Sequence, residues 1–125
     1  MTILVDTSVL IDVLRGDQAA AAVLRDSRSE GELHASEVTR LEVLAGMRAG
    51  EETATRGLLE VCTWHPLDEE IAERAGELGR RWLPGNRGID AADLAIAATV
   101  FWLDARLLTR NVEHFPMFAG LTAPY

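Results

Sequence analysis

The apolar segment at residues 89–103 constrains the fold of this chain most strongly. Asp90 and Asp93 lie in its first turn, and residues 94–103 carry no charged side chain, so a helix formed here has no polar face. Such a helix must be covered on both sides by other elements. The chain has 125 residues, a length that suits one domain but not two, so we expect a single domain, residues 1–125, with this helix in its core.

Short apolar runs alternate with helical segments along the chain. Residues 3–5 form a continuous apolar run that ends at Asp6, which is typical of a buried parallel strand. Strands are predicted at residues 3–5, 32–35, 63–67, 106–108 and 121–123. Helices are predicted at residues 8–15, 18–28, 36–50, 52–61, 68–82 and 89–103, with a loop at 83–88 and a helical turn at 111–115.

This alternation predicts an α/β fold. Parallel strands joined by crossover helices form sheets that carry helices on both faces. We therefore expect a three-layer α/β/α sandwich whose central sheet is mostly parallel and has about four or five short strands.

Composition and charge exclude several kinds of protein. A single cysteine, Cys62, excludes an intramolecular disulfide framework and a cysteine-rich zinc site, and His34, His65 and His114 are so scattered that we interpret them as surface or packing residues. The first residues lack the basic segment and long apolar run of a signal peptide or membrane span, so we expect a cytoplasmic protein without membrane contact. A formal net charge of −8 means that any contact with nucleic acid must be local or assisted by a metal ion.

Asp6, Asp90 and Asp93 stand at the starts of predicted helices. Asp6 directly follows the first strand, and functional groups gather at the carboxyl edge of a parallel sheet. Asp90 and Asp93 share one face of a helical turn, so their carboxylates repel each other unless a cation or hydrogen-bond donors lie between them. Capping of the following helix is the structural alternative for Asp6 and for one of the other two.

Glu42 lies within a predicted helix rather than at its end. Helical spacing directs its carboxylate toward apolar neighbours, where an unpaired charge is costly and a divalent cation would stabilise it. The alternative is a side chain that extends to solvent or pairs with an arginine. The arc in which we expect Glu42 consists of Val38, Leu41, Ala45 and Ala49.

Together the four acids predict a site for Mg²⁺ or Mn²⁺. These ions take hard oxygen ligands and few protein groups each, with water and substrate phosphate completing the coordination shell. Asn111, after the strand at 106–108, offers an accessory neutral oxygen or an amide that positions water, although an ordinary loop asparagine is equally compatible with that place. Thr7 or Ser8 is predicted to position a ligand or water.

Four short segments that contain these residues follow one another along nearly the whole chain. They are ILVDTSVLI from residue 3, LEVLAG from residue 41, DLAIAAT from residue 93 and LTRNVEHF from residue 108. In order and spacing they resemble the PIN-domain toxins of the VapC family. No single segment is decisive, but the four in sequence are specific.

The resemblance implies an endoribonuclease that uses Mg²⁺ or Mn²⁺ to cleave structured RNA such as tRNA or rRNA, is inhibited by a VapB-type antitoxin and forms a homodimer. The family's invariant acids fall on Asp6, Glu42 and Asp93, which we predict as catalytic residues and metal ligands. The fourth polar position of the family falls on Asn111, where many relatives carry aspartate, so the fourth ligand is weaker here. Asp90 has no fixed counterpart and is predicted as an accessory acid.

Three other functions share parts of this pattern. A phosphatase of the haloacid-dehalogenase kind also places an aspartate after its first strand, but it needs a second aspartate two residues later, where this chain has Ser8. A binding module that kept the fold and lost activity is disfavoured by three acids at matching spacing. A housekeeping RNA-processing nuclease of the same fold would use identical chemistry and stays open as an alternative.

Basic and apolar side chains predict further contacts. We expect Arg15, Arg87 and Arg110 to contact RNA phosphates. The helical segments at residues 38–47 and 89–103 are apolar on more than one side, so we expect a two-fold homodimer. We also expect a groove for an amphipathic antitoxin helix, from which a basic residue would reach into the acidic site.

Overall fold

Four short strands form the centre of the molecule. The computed structural model, which describes residues 1–125, places them in one sheet. They are β1 Thr2–Val5, β2 Glu32–Ser36, β3 Thr63–His65 and β4 Arg106–Leu108. Their order is β3-β2-β1-β4 and every pairing is parallel, so β1 lies between β2 and β4 and all four strands end at the same edge of the sheet.

Six helices connect and follow the strands. They are α1 Thr7–Leu14, α2 Gln18–Glu30, α3 Glu37–Ala45, α4 Glu52–Leu59, α5 Glu69–Trp82 and α6 Ala91–Leu103, and a 3₁₀ turn, Val112–His114, comes after β4. All but α4 begin at a side chain that accepts a backbone N–H of the first turn, as a helix N-cap does. None of the helices combines the length and hydropathy that crossing a bilayer requires.

The apolar residues of the sheet divide between its two faces, because successive side chains of a strand point in opposite directions. Ile3 and Val5 pack with residues of α1 and α2 on one face, while Leu4 packs with residues of α6 on the other. All three side chains are fully buried. The expected three-layer α/β/α sandwich is therefore confirmed, with a sheet that has four strands and is entirely parallel.

Helix α6 is covered by the sheet and by α5. Residues 93–100 are buried, as predicted for a helix without a polar face. Phe101 and Trp102 at its end are 47% and 49% exposed, so the cover stops before the last turn. Gly79 of α5 faces this helix closely: a Cβ atom there would lie 3.1 Å from the Leu94 side chain.

Three predicted elements differ from the structure. The strand expected at 63–67 ends at His65, because Pro66 has no N–H to donate to a neighbouring strand. The helix expected to reach residue 50 ends at Ala45, and the Arg15 guanidinium donates to the carbonyl of Gly46 that follows it. The strand expected at 121–123 is absent: a cavity of about 430 Å³ lies between β4 and residues 118–124, and Pro124 lacks a donor. The remaining elements agree with the structure to within about two residues at each end.

Helices α5 and α6 pack so closely at Gly79 that a larger side chain there should destabilise the fold. Gly79→Leu is expected to lower the free energy of unfolding by about 1–3 kcal/mol, because the new side chain must displace Leu94 and Leu83. Gly76 lies in the same helix but is exposed, with nothing within 4 Å of a Cβ atom. Gly76→Leu is therefore the matched control, and it should leave stability unchanged or raise it by up to about 1 kcal/mol. Urea unfolding followed by circular dichroism measures both, and equal stability of the two variants would contradict tight packing at Gly79.

Candidate active site

One acidic cavity of about 300 Å³ opens at the carboxyl edge of the sheet. It brings together the three predicted catalytic acids, the three accessory residues and one of the three predicted phosphate contacts. Only one of the residues that line it is hydrophobic. They are Asp6, Thr7, Ser8, Ile11, Asp12, Glu42, Asp90, Asp93, Arg110, Asn111 and His114.

Asp6 ends β1 and is only 3% exposed. Its Oδ2 accepts hydrogen bonds from Ser8 Oγ at 2.7 Å and from Thr109 Oγ1 at 2.7 Å, with a longer contact of 3.4 Å to the Ser8 N–H. No protein donor bonds to Oδ1. Capping of α1 and a role in the cavity are therefore compatible, because each occupies a different oxygen of this carboxylate.

Glu42 reaches the same cavity from α3. Its Oε1 lies 2.7 Å from Thr7 Oγ1, which also lies 2.9 Å from Thr39 Oγ1. The single hydroxyl proton of Thr7 goes to the carboxylate, the stronger acceptor. Burial raises the pKa of Glu42, the Thr7 hydrogen bond opposes this, and the charges of Asp90 and Asp6 raise the pKa further.

The helical arc predicted for Glu42 was wrong in detail. Leu41 is 65% exposed, and the buried side of α3 consists of Thr39 and Val43 instead. Ala45 is exposed and Ala49 lies beyond the end of the helix. Glu42 is half-buried because it stands three residues after Thr39 and next to Val43 on that side.

Asp90 and Asp93 form a reciprocal capping box at the start of α6. Asp90 Oδ1 accepts from the Asp93 N–H at 2.9 Å, and Asp93 Oδ2 accepts from the Asp90 N–H at 3.1 Å. Asp93 Oδ2 also lies 3.3 Å from His114 Nδ1. Burial raises the pKa of Asp93 to about 6, with the Asp90 charge adding to the shift and the Asp90 N–H and His114 opposing it. Capping accounts for one oxygen of each aspartate, and the others carry no protein donor.

Negative charge exceeds positive charge in the cavity. Its only basic residues are Arg110 and His114, and Arg110 already pairs with Asp12, Nη1 to Oδ2 at 2.9 Å. Burial is the main cause of the raised pKa values of Glu42 and Asp93, and the mutual repulsion that adds to it would be relieved by a bound cation.

The donor set of the cavity fits a hard divalent cation. Asp6, Glu42 and Asp93 each keep one carboxylate oxygen without a protein donor. No three carboxylate, histidine or cysteine side chains are gathered closely enough to coordinate one ion together. Mg²⁺ in proteins is typically bound through one or two carboxylates and keeps several of its waters, so it does not require such a closed cluster.

Two of the arginines predicted to contact phosphate lie elsewhere. Arg15 binds Glu51 through two hydrogen bonds of 3.1 and 2.8 Å, which brace α1 against the segment before α4. Arg87 is exposed in the loop before α6 and does not line the cavity. Its neighbour Gly88 approaches the rim, since a Cβ atom there would lie 3.9 Å from His114 Nε2.

Sequence reasoning missed Asp12 and His114 as cavity residues. Asp12 stands four residues after Ser8 on α1, so helical spacing alone places it on the same side. His114 was interpreted as a surface or packing residue, yet it stands three residues after Asn111 across a 3₁₀ turn, where side chains three apart align. Thr109 donates to Asp6, and Thr39 contacts Thr7. The sequence shows only that Thr109 lies near the end of a strand and that Thr39 lies on a helix, which does not predict either contact.

Comparison with known proteins extends these observations to relatives. The PIN domain family matches residues 3–119. Ribonuclease VapC19 of Mycobacterium tuberculosis is 46% identical over 98% of both chains, and ribonuclease VapC10 of the same organism is 42% identical over 98% of this chain and 92% of its own. A chain of a toxin-antitoxin complex from Klebsiella pneumoniae superposes with a TM-score of 0.80 and 26% identity over 98% of both chains. The chain therefore belongs to the PIN-domain family and, within that family, to the VapC ribonucleases.

Proposed function

We propose that this protein is an endoribonuclease dependent on Mg²⁺ or Mn²⁺ and the toxin of a toxin-antitoxin pair. It hydrolyses phosphodiester bonds in structured RNA, such as tRNA or rRNA, in the cytoplasm. The observation that carries this proposal is the arrangement of Asp6, Glu42 and Asp93. Each keeps one oxygen fixed by protein donors and one free, and all three line one open cavity. The relatives named as ribonucleases and the toxin-antitoxin neighbour support it.

A bound Mg²⁺ or Mn²⁺ would supply a water of lowered pKa and neutralise charge on the phosphate. Asp6, Glu42 and Asp93 would hold the ion through their free oxygens, either directly or through its bound waters. Any proton that Glu42 or Asp93 carries because its pKa is raised would have to leave before the ion binds.

The surrounding side chains orient the three acids and the substrate. Thr7 fixes Glu42, and Ser8 with Thr109 fixes Asp6, so that the free oxygens stay directed at the cavity. Asp90 and Asn111 serve as accessory polar groups, Asn111 through a neutral amide. Arg110 contacts the RNA backbone as a phosphate-binding cation.

Two protein partners complete the proposal. A VapB-type antitoxin inhibits the enzyme by laying an amphipathic helix on the surface and a basic residue in the acidic cavity. A second copy of the chain forms a two-fold dimer. The segment at residues 38–47 offers less apolar surface for this dimer than its sequence predicts, because Val43 is buried in the chain's own core. Exposed Leu41, Phe101 and Trp102 still leave apolar surface for such contacts.

Removal of one catalytic charge is expected to abolish RNA cleavage. Asp6→Asn, Glu42→Gln and Asp93→Asn should each lower the cleavage rate at least about a hundredfold, because each takes a ligand from the ion. Each should also keep the fold, or stabilise it in the absence of metal, since mutual repulsion falls. Asp68→Asn is a matched control at the start of α5, outside the cavity, where asparagine also caps a helix well. Gel assays at equal folded concentration measure the rates, and full activity in any of the three variants would remove that residue from the mechanism.

Metal dependence is tested separately. Cleavage should stop on addition of EDTA and return with excess Mg²⁺ or Mn²⁺, because the carboxylate oxygens of the cavity are ligands that suit these ions and the ion supplies the activated water. Circular dichroism before and after chelation serves as the control for folding. Undiminished cleavage in EDTA would refute a metal-dependent mechanism while leaving the nuclease assignment intact.

Sedimentation of the protein alone tests whether it forms the proposed dimer. Sedimentation at micromolar concentration without antitoxin should give twice the chain mass of 13.7 kDa. Phe101→Glu combined with Trp102→Glu should shift the population to monomer if α6 forms the contact. Asp26→Asn is the surface control, because Asp26 is exposed on α2, which packs on the other face of the sheet from α6. A wild-type protein that sediments only as a monomer would refute the dimer.

A further inference from the structure

Asp12 forms a hydrogen-bond network at the mouth of the cavity that does not hold the three catalytic acids. Its Oδ2 accepts from Arg110 Nη1 at 2.9 Å and from Tyr125 Oη at 2.7 Å. The Asp12 side chain is 21% exposed, and that of Arg110 is 52% exposed. Arg110 and Tyr125 therefore donate to the same oxygen of a mostly buried carboxylate. Each of the two hydrogen bonds is weaker than it would be if the other were absent.

The backbone of Arg110 is fixed next to the catalytic acids. Its N–H donates to Ser8 Oγ at 3.1 Å, and Ser8 Oγ in turn donates to Asp6. The guanidinium is half-exposed and lines the cavity. Arg110 thus combines an anchored main chain with a side chain that is free to exchange its partner.

Tyr125 is held in place by packing as well as by its hydroxyl. Its ring packs against the apolar cluster of the α1 side of the sheet, which includes Val9 and Leu10. Burial raises the pKa of the phenol far above its usual range, and the Asp12 hydrogen bond and charge raise it further. The hydroxyl therefore stays protonated and keeps its capacity to donate.

We propose that Asp12 and Tyr125 are positioning residues for Arg110, which passes from Asp12 to a phosphate of bound RNA while Tyr125 keeps Asp12 hydrogen-bonded. This inference rests on the proposed function, since it takes RNA as the ligand. In the free protein, Asp12 holds the guanidinium at the mouth of the cavity. When RNA arrives, a phosphate offers the guanidinium two acceptor oxygens, and the Tyr125 hydroxyl prevents Asp12 from being left without a donor.

The two residues should act on RNA affinity in opposite directions. Tyr125→Phe keeps the ring but removes the donor, so Asp12 then depends on Arg110 alone and releases it less readily. We expect RNA binding about three- to tenfold weaker. Asp12→Asn removes the charge that competes with RNA for Arg110, and we expect binding tighter by a similar factor of about three. If Asp12 and Tyr125 had only a structural role, both substitutions would change RNA affinity in the same direction, or neither would change it.

The experiment measures binding of a fluorescein-labelled RNA stem-loop by anisotropy, with Ca²⁺ in place of Mg²⁺ to slow hydrolysis. Wild type, Tyr125→Phe and Asp12→Asn are compared alone and with Arg110→Ala. In the Arg110→Ala background both effects should shrink to within about twofold, and the slope of log Kd against log salt should fall by about one. Glu30→Gln is the matched control, because Glu30 pairs with Arg106 at 3.1 Å at the opposite end of β4.

Each outcome of this experiment either supports or overturns the positioning role of Asp12 and Tyr125. Opposite shifts that disappear without Arg110 support the positioning role. Equal affinity of wild type and Tyr125→Phe, shifts in the same direction, shifts that persist without Arg110, or no binding of the stem-loop to wild type would each overturn it. Thermal unfolding of each variant confirms that the fold is kept. Binding with the predicted shifts but without cleavage in Mg²⁺ or Mn²⁺ would refute the proposed nuclease function and leave the positioning role supported.

Discussion

The site depends on the burial of one charge, that of Asp6 in the middle of the sheet's carboxyl edge. A carboxylate that is only 3% exposed is stable there because hydroxyls of Ser8 and Thr109 donate to one of its oxygens. Thr109 follows β4 and Ser8 opens α1, so the same bonds fix β4 and α1 around β1. The other oxygen of Asp6 accepts no hydrogen bond from the protein, and Asp6 lines the cavity in which the other acids meet.

The charges of the cluster oppose folding in the absence of a cation. Asp93, with a pKa of about 6, binds a proton more tightly when folded than when unfolded, so its contribution to stability is greatest in acid and is lost as the pH rises to 6. Glu42 shifts in the same direction. The apolar layers on both faces of the sheet must offset this cost at neutral pH. The acidic cluster thus has an arrangement that suits a divalent ion, and it lowers the stability of the folded protein when no ion is bound.

The fold and the three central acids could be predicted because they depend on local pattern. Asp6 follows a buried strand, and Asp93 stands in the first turn of a helix without a polar face, but spacing alone left helix capping open as their role. The resemblance of four segments to a known family singled them out. Long-range pairing cannot be recognised in this way. Arg15 pairs with Glu51, which lies 36 residues away in the chain, and Arg110 pairs with Asp12, which lies 98 residues away. The end of α3 and the missing strand at residues 121–123 depended likewise on neighbours that local spacing does not reveal.

The parallel order of the strands also has a consequence for synthesis of the chain. Asp6 is translated before the Thr109 hydroxyl that holds it, which lies 103 residues later in the chain. Helix α6, with Asp93, and strand β4 must both emerge before the cavity exists. A partly translated chain therefore carries all of β1 and none of the assembled site. For a member of a ribonuclease family, this strand order delays assembly of the acidic cavity until translation of the domain is nearly complete.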